Sequence, residues 1–181
     1  MAHVRFEITG PLGILTLANP PLNLFSGEVI EDVRAAVTEI KGAPLRALLV
    51  QAEGKVFSGG AEVSVFQGRT PSEARERFTS HLRLIADLEE LPFPTLAAVH
   101  GLCLAAGLEL ALACDLIWAA ASARFVAAVS RVGCDCALAK NFSHQFRTEC
   151  IHRVDFNTHR ILSICQFFTE NVSCFQFAVL A

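Results

Sequence analysis

The sequence predicts an α/β protein built on a largely parallel sheet, because short β-prone runs alternate with stretches of helical periodicity as far as Phe125. Breakers stand where such elements should end: Gly42 with Pro44 after one helical stretch, and Leu91-Pro92-Phe93-Pro94 after another. The chain has 181 residues, 52% hydrophobic and 18% charged, so it is long enough to bury one core, or part of a larger one, and too apolar to stay unfolded.

Val4 to Thr9 alternates and is rich in β-formers. A turn at Gly10-Pro11-Leu12-Gly13 leads into Ile14-Leu15-Thr16-Leu17, so the pair reads as a β-hairpin. Asn19-Pro20-Pro21-Leu22-Asn23 is a stiff loop, since each proline fixes φ and removes a donor. From Gly27 to Lys41, Val29, Ile30, Val33, Ala36, Val37 and Ile40 recur at helical spacing. Residues 46–51 hold a short buried-strand pattern. Pro71-Ser72 opens a long helix whose apolar face is expected to be Phe78, Leu82, Ile85 and Leu88. Thr95 to His100 reads as a strand, Leu104 to Ala113 as a short helix and Leu116 to Ala119 as another strand. No internal repeat or low-complexity linker interrupts this order.

Charge and targeting signals narrow the function. Fifteen basic against 18 acidic residues give a net charge of −3, which offers no footprint for nucleic acid. No charged-then-apolar pattern opens the chain, so the cytoplasm is the expected compartment and reduced thiols the expected state of its seven cysteines. Leu102 to Ala121 is apolar enough to suggest a membrane span, but Glu109 and Asp115 interrupt it, and a buried core segment is expected instead. Asn141 and Asn171 begin glycosylation-type triplets that have no role without export.

Two strand-to-loop transitions are rich in small residues: Phe57-Ser58-Gly59-Gly60-Ala61-Glu62, and His100-Gly101-Leu102-Cys103-Leu104-Ala105-Ala106-Gly107-Leu108-Glu109. Loops of this kind let a substrate approach the backbone, and side by side they could aim two amides at one oxygen, as an oxyanion hole does. The same residues would also serve as tight turns with close helix packing.

These segments add a specific resemblance. Phe57-Ser58-Gly59-Gly60-Ala61-Glu62-Val63 is similar to the first oxyanion-hole segment of the enoyl-CoA hydratase/isomerase (crotonase) family, and His100 to Asp115 to the second. Ile14 to Asn23 resembles the family's first strand and proline loop, so the likeness covers residues 4–125. It implies a crotonase-like (ClpP/crotonase) ββα spiral, C-terminally incomplete, whose acyl-CoA-binding core is residues 1–125. It also implies catalytic roles for the backbone N–H groups of Ala61 and Ala106 as donors to the thioester oxygen, and for Glu109 as the acid–base group. Substrate contacts would come from Ala61, Glu62, Val63, Ser64, Ala106 and Gly107, with Glu62, Val63 and Ser64 along the edge that holds coenzyme A. The family usually carries glycine where Ala105 and Ala106 stand. A backbone donor survives that change, with clearance the only expected loss.

The second family glutamate falls at about Val129, which cannot move protons. The composition changes nearby: 10 of the 11 glycines and all seven prolines precede Phe125, while five cysteines and seven of 14 phenylalanines follow it. Residues 126–181 are therefore expected to be an atypical tail, of the kind a frameshift or alternative exon produces. Its Cys134, Cys136, His144, Cys150, His152 and His159 lack zinc-knuckle spacing, so no metal and no cofactor beyond the coenzyme A of the substrate is expected. Asp135 has no surroundings that favour it as a replacement acid. Ser58 lacks a nucleophile elbow. His81 reads as a surface or packed residue, His100 as scaffold and Asp115 as a turn brace.

The resemblance thus implies an acyl-CoA enzyme of the hydratase/isomerase type that stabilises a thioester enolate. Its partner would be an acyl-CoA thioester, with no nucleic acid and no membrane. The family's trimers or hexamers use a C-terminal segment this chain does not show. Isomerisation or decarboxylation tolerates loss of one glutamate better than hydration does. The alternative is a catalytically silent product that keeps coenzyme A or partner binding.

Overall fold

The computed structural model describes residues 3–126. Strands β1 (Val4–Thr9), β2 (Leu12–Leu17), β3 (Ala47–Ala52), β4 (Thr95–Val99) and β6 (Leu116–Ala119) form one five-stranded sheet in the order β1-β2-β3-β4-β6. Only β1 and β2 pair antiparallel; each later neighbour pairs parallel, as the strand–helix alternation predicts. A second, two-stranded sheet pairs β5 (Leu102–Leu104) with β7 (Arg124–Val126) in parallel.

Among the described residues the α-helices are α1 (Gly27–Gly42), α2 (Pro71–Glu89) and α3 (Ala106–Leu112). Ser26 caps α1 by accepting the Val29 amide at 3.2 Å, and Thr70 with Glu73 forms a capping box on α2. All three helices send buried residues into the core that Leu15, Leu17, Leu48 and Val50 also fill. Alternate residues of the same strands, Leu12, Ala47, Leu49 and Leu96, gather on the opposite face with Ile14, Leu116 and Trp118. The period of two thus splits β3 between both faces, which is why Ala47-Leu48-Leu49-Val50 reads as an uninterrupted apolar run.

Three expectations shift. The hairpin turn is shorter than Gly10 to Gly13: Thr9 already pairs with Leu12, and Gly10 takes φ +59°. The helix expected from Leu104 begins at Ala106, because Leu102–Leu104 is held as a strand by β7. Of the residues expected on the apolar face of α2, Ile85 and Leu88 are buried, Leu82 is 44% exposed, and the side chain of Phe78 lies outside what the structure describes; Leu84 joins the inward stripe, with His81 in line. The apolar stretch from Leu102 to Ala121 divides into β5, the seven-residue α3 and β6, and no helix among the described residues is long and apolar enough to cross a membrane.

Candidate active site

The first small-residue loop is locked between two neighbours. On one side, the Phe57 and Ser58 amides donate to His100 O (2.9 Å) and Leu102 O (3.0 Å), and Leu104 N donates to Ser58 O at 3.0 Å. On the other, Gly59 N donates to Leu22 O (2.7 Å), Phe25 N to Gly60 O (2.9 Å) and Glu62 N to Phe25 O (3.1 Å). This parallel bridge consumes the Gly60 carbonyl and the Glu62 amide, so the Ala61 N–H faces away from Phe25. Gly60 holds φ +86°, and a Cβ there would stand 3.0 Å from Leu104 O. The site therefore needs glycine for both conformation and clearance.

Two buried polar residues that sequence reasoning missed fix this loop. Ser58 Oγ donates to Asn23 O at 2.8 Å and accepts the Gly60 amide at 3.0 Å. Asn23, itself at φ +48°, accepts the Asn19 amide and donates from Nδ2 to Glu53 O (2.8 Å) and Val56 O (3.0 Å). The proline loop is thereby joined to the glycine loop. Neither residue carries a signal in local spacing, because all of Asn23's side-chain partners but one lie about thirty residues away.

The second loop turns sharply from β5 into α3. Ala105 sits at φ +46°, ψ −112°, the conformation of the first central residue of a type II′ turn, and its N–H donates to Val126 O at 3.1 Å. Glycine suits that geometry, so alanine at 105 costs backbone strain of roughly 1–3 kcal/mol, a cost beyond the lost clearance expected from the sequence. The turn delivers Ala106 as the first residue of α3, with no side-chain cap over its N–H. Gly107 then packs directly on Ser58. Among the described residues, neither the Ala61 nor the Ala106 amide meets a backbone acceptor. Gly107 is buried with no room for a side chain, so it acts as the packing point between the loops.

Glu109 lies one turn into α3 and is largely buried, with Oε2 2.8 Å from His81 Nε2. His81 is packed, as one of its two sequence readings had it, but its bond to Glu109 was not legible, since α2 and α3 meet only in the fold. Glu62 and Ser64 line a cleft of about 350 Å³ together with Ser26, Gly27, Arg69 and Arg77. Val63 is 68% exposed at the start of a 3₁₀ turn, Val63–Phe66, and does not line that cleft. Val129, Asp135, the Cys134 to His159 cluster, Asn141 and Asn171 lie outside the described residues.

The remaining sequence candidates are structural. Asp115 Oδ2 accepts the Thr95 amide at 2.8 Å and the Thr95 hydroxyl at 3.0 Å, and the Asp115 amide donates back to Thr95 Oγ1, which braces β4 against the turn before β6. His100 Nε2 reaches Gly54 O at 3.2 Å. Burial pushes the Cys103 and Cys114 thiols up to about 12, too high for either to serve as a nucleophile near neutral pH. Among the described residues no group of three His, Cys, Asp or Glu side chains is placed to hold a metal ion.

Comparison with known proteins agrees with the fold. Residues 7–146 match the family Enoyl-CoA hydratase/isomerase, a match that continues past the composition break at Phe125. Cyclohexa-1,5-dienecarbonyl-CoA hydratase of Thauera aromatica is 37% identical over 131 residues, covering 72% of this chain and 50% of that protein. A probable enoyl-CoA hydratase of Bacillus subtilis is 32% identical over 126 residues, or 68% of this chain and 49% of that protein. Among solved structures, Pseudomonas aeruginosa DspI superposes with a TM-score of 0.69 at 26% identity, over 74% of this chain and 55% of that one. Enoyl-CoA hydratase from Thermoplasma volcanium superposes at 0.70 with 23% identity, over 75% and 55%, a likeness of fold. The chain spans about half the length of the curated relatives it matches.

Proposed function

Because the chain belongs to the enoyl-CoA hydratase/isomerase family, we propose that it binds an acyl-CoA thioester and stabilises the enolate formed when a proton leaves the acyl chain. The Ala61 and Ala106 amides donate to the thioester oxygen, where negative charge develops. Glu109 takes the proton from one carbon and returns it to another, which balances an isomerisation with a single carboxylate. Glu62 and Ser64 flank the coenzyme A portion, on the side where Arg69 and Arg77 supply positive charge. Val63 contributes through its backbone.

The observation that supports this reading best is the seating of Gly107 on Ser58, which holds the two small-residue loops together while both amides lack backbone acceptors among the described residues. Fixed dipoles of this kind need no reorganisation during reaction, and one such donor is typically worth about 3 kcal/mol of barrier.

The test is to assay crotonyl-CoA hydration and 3-enoyl-CoA isomerisation beside calorimetry of coenzyme A binding. Turnover that Glu109→Gln abolishes without loss of binding supports the reading. Binding with no turnover of either substrate overturns the catalytic part and favours a silent acyl-CoA-binding protein.

A further inference from the structure

A carboxylate on the first turn of a seven-residue helix keeps three rotatable bonds, so α3 alone does not determine where its oxygens point. Glu109 is nevertheless held: Oε2 meets His81 Nε2 at 2.8 Å, and the two side chains are only 16% and 15% exposed. A partner is needed at that depth, because a buried carboxylate without a donor is costly. His81 comes from the middle of α2, on the same stripe as Leu84, Ile85 and Leu88, whose burial in the core fixes the rotation of that helix. An apolar side chain would complete this stripe; the imidazole instead turns its Nε2 to α3.

We infer that His81 is the positioning residue of the site: it donates Nε2–H to Oε2 of Glu109 and leaves Oε1 as the oxygen that exchanges protons with bound substrate. The inference rests on the acid–base role proposed for Glu109. An ionised carboxylate has no proton to offer, so the bond requires the Nε2–H form of the ring. The bond persists when Glu109 takes up a substrate proton on Oε1, so the carboxyl group stays aimed through both halves of a proton transfer.

Two measurements on the full chain test this. In steady-state kinetics with the acyl-CoA that wild type turns over, His81→Ala is expected to lower kcat by roughly tenfold to a hundredfold, as small misplacements do, with KM nearly unchanged. His81→Gln places an amide N–H near the position of Nε2 and is expected to restore most of the rate. Wild-type kcat in H81A, or equal inactivity of folded H81A and H81Q, overturns the inference. In nitrogen-resolved NMR of the histidine rings, the Nε2–H signal of His81 is expected to shift on Glu109→Ala. If wild type turns over no acyl-CoA, the functional reading fails on its own and this spectrum decides the pairing: a His81 signal indifferent to E109A overturns it, and a shifted one sustains it.

Discussion

Gly107 lies so close to Ser58 that a Cβ added to it would stand 2.4 Å from Ser58 Cβ and 2.8 Å from Ser58 Oγ. Through this contact the start of α3 is seated on the glycine loop, and the same serine fixes that loop by bonds to Asn23 and Gly60. One residue of each loop thus sets the spacing of the Ala61 and Ala106 amides.

Gly107→Ala is expected to destabilise the fold by about 1–3 kcal/mol through overpacking and to lower kcat by separating the loops. Urea titration with an unchanged slope and a lower midpoint is the expected signature. Ser58→Gly in the same chain removes the clashing atoms, so the double mutant should be more stable than the sum of the single effects, with a coupling of about 1 kcal/mol or more. Additive single effects would mean that the contact does not govern the spacing.

Asn23→Ala removes three side-chain hydrogen bonds at a buried position and forces alanine into φ +48°. The expected loss is roughly 3 kcal/mol or more from the orphaned partners. Asn23→Gly loses the same bonds but suits the backbone, so it should recover about 1 kcal/mol relative to alanine. Chemical denaturation of the pair separates the two contributions. Equal stability of the glycine and alanine forms would show that conformation matters little there.

The long helical periodicity of α1 and the short apolar run of β3 are both legible in the sequence, and each element falls within a residue or two of expectation. The three-residue strand β5 was not, because Leu102-Cys103-Leu104 sits in a continuous apolar run where periods of 2 and 3.6 look alike. The α2 stripe was displaced by Leu82, whose hydrophobicity outweighed a histidine until packing put His81 on the inward face. Glycine content located both candidate loops. The residues that lock them, Asn23, Ser58 and His81, are held mainly by partners distant in sequence, and no local pattern encodes such a contact.

Thr70 caps α2, its hydroxyl accepting the Glu73 amide at 3.3 Å while the Thr70 amide and hydroxyl both bond the Glu73 carboxylate. Those bonds hold the Glu73 carboxyl below its usual value. A depressed folded value stabilises the protein above the unfolded value, and that contribution is lost as pH falls through the folded one. Thr70→Ala, which removes the hydroxyl's bonds and with them the cap, should therefore lower stability near neutral pH. The gap to wild type should narrow in acid. Thermal melts across an acidic pH series check this, and a gap that stays constant would remove Glu73 from the account.

Cys103 and Cys114 are free thiols inside the core, and burial pushes both up to about 12 from an ordinary 9.0. Desolvation disfavours the thiolate, so the native chain keeps both protons where the unfolded chain begins to lose them. The folded values are raised, and the stability they contribute is fully present below the unfolded value. It is then lost as pH rises from about 9 toward 12, with a slope of about 1.4 kcal/mol per pH unit for each thiol. Replacing both cysteines with alanine should flatten that alkaline decline. At mildly alkaline pH, iodoacetamide should leave the Cys103 and Cys114 peptides unmodified in the native protein and modify both in urea, as read by peptide mass spectrometry. Rapid native modification of either peptide would mean that the loop carrying Cys103, or the end of α3 beside Cys114, opens to solvent in the folded state.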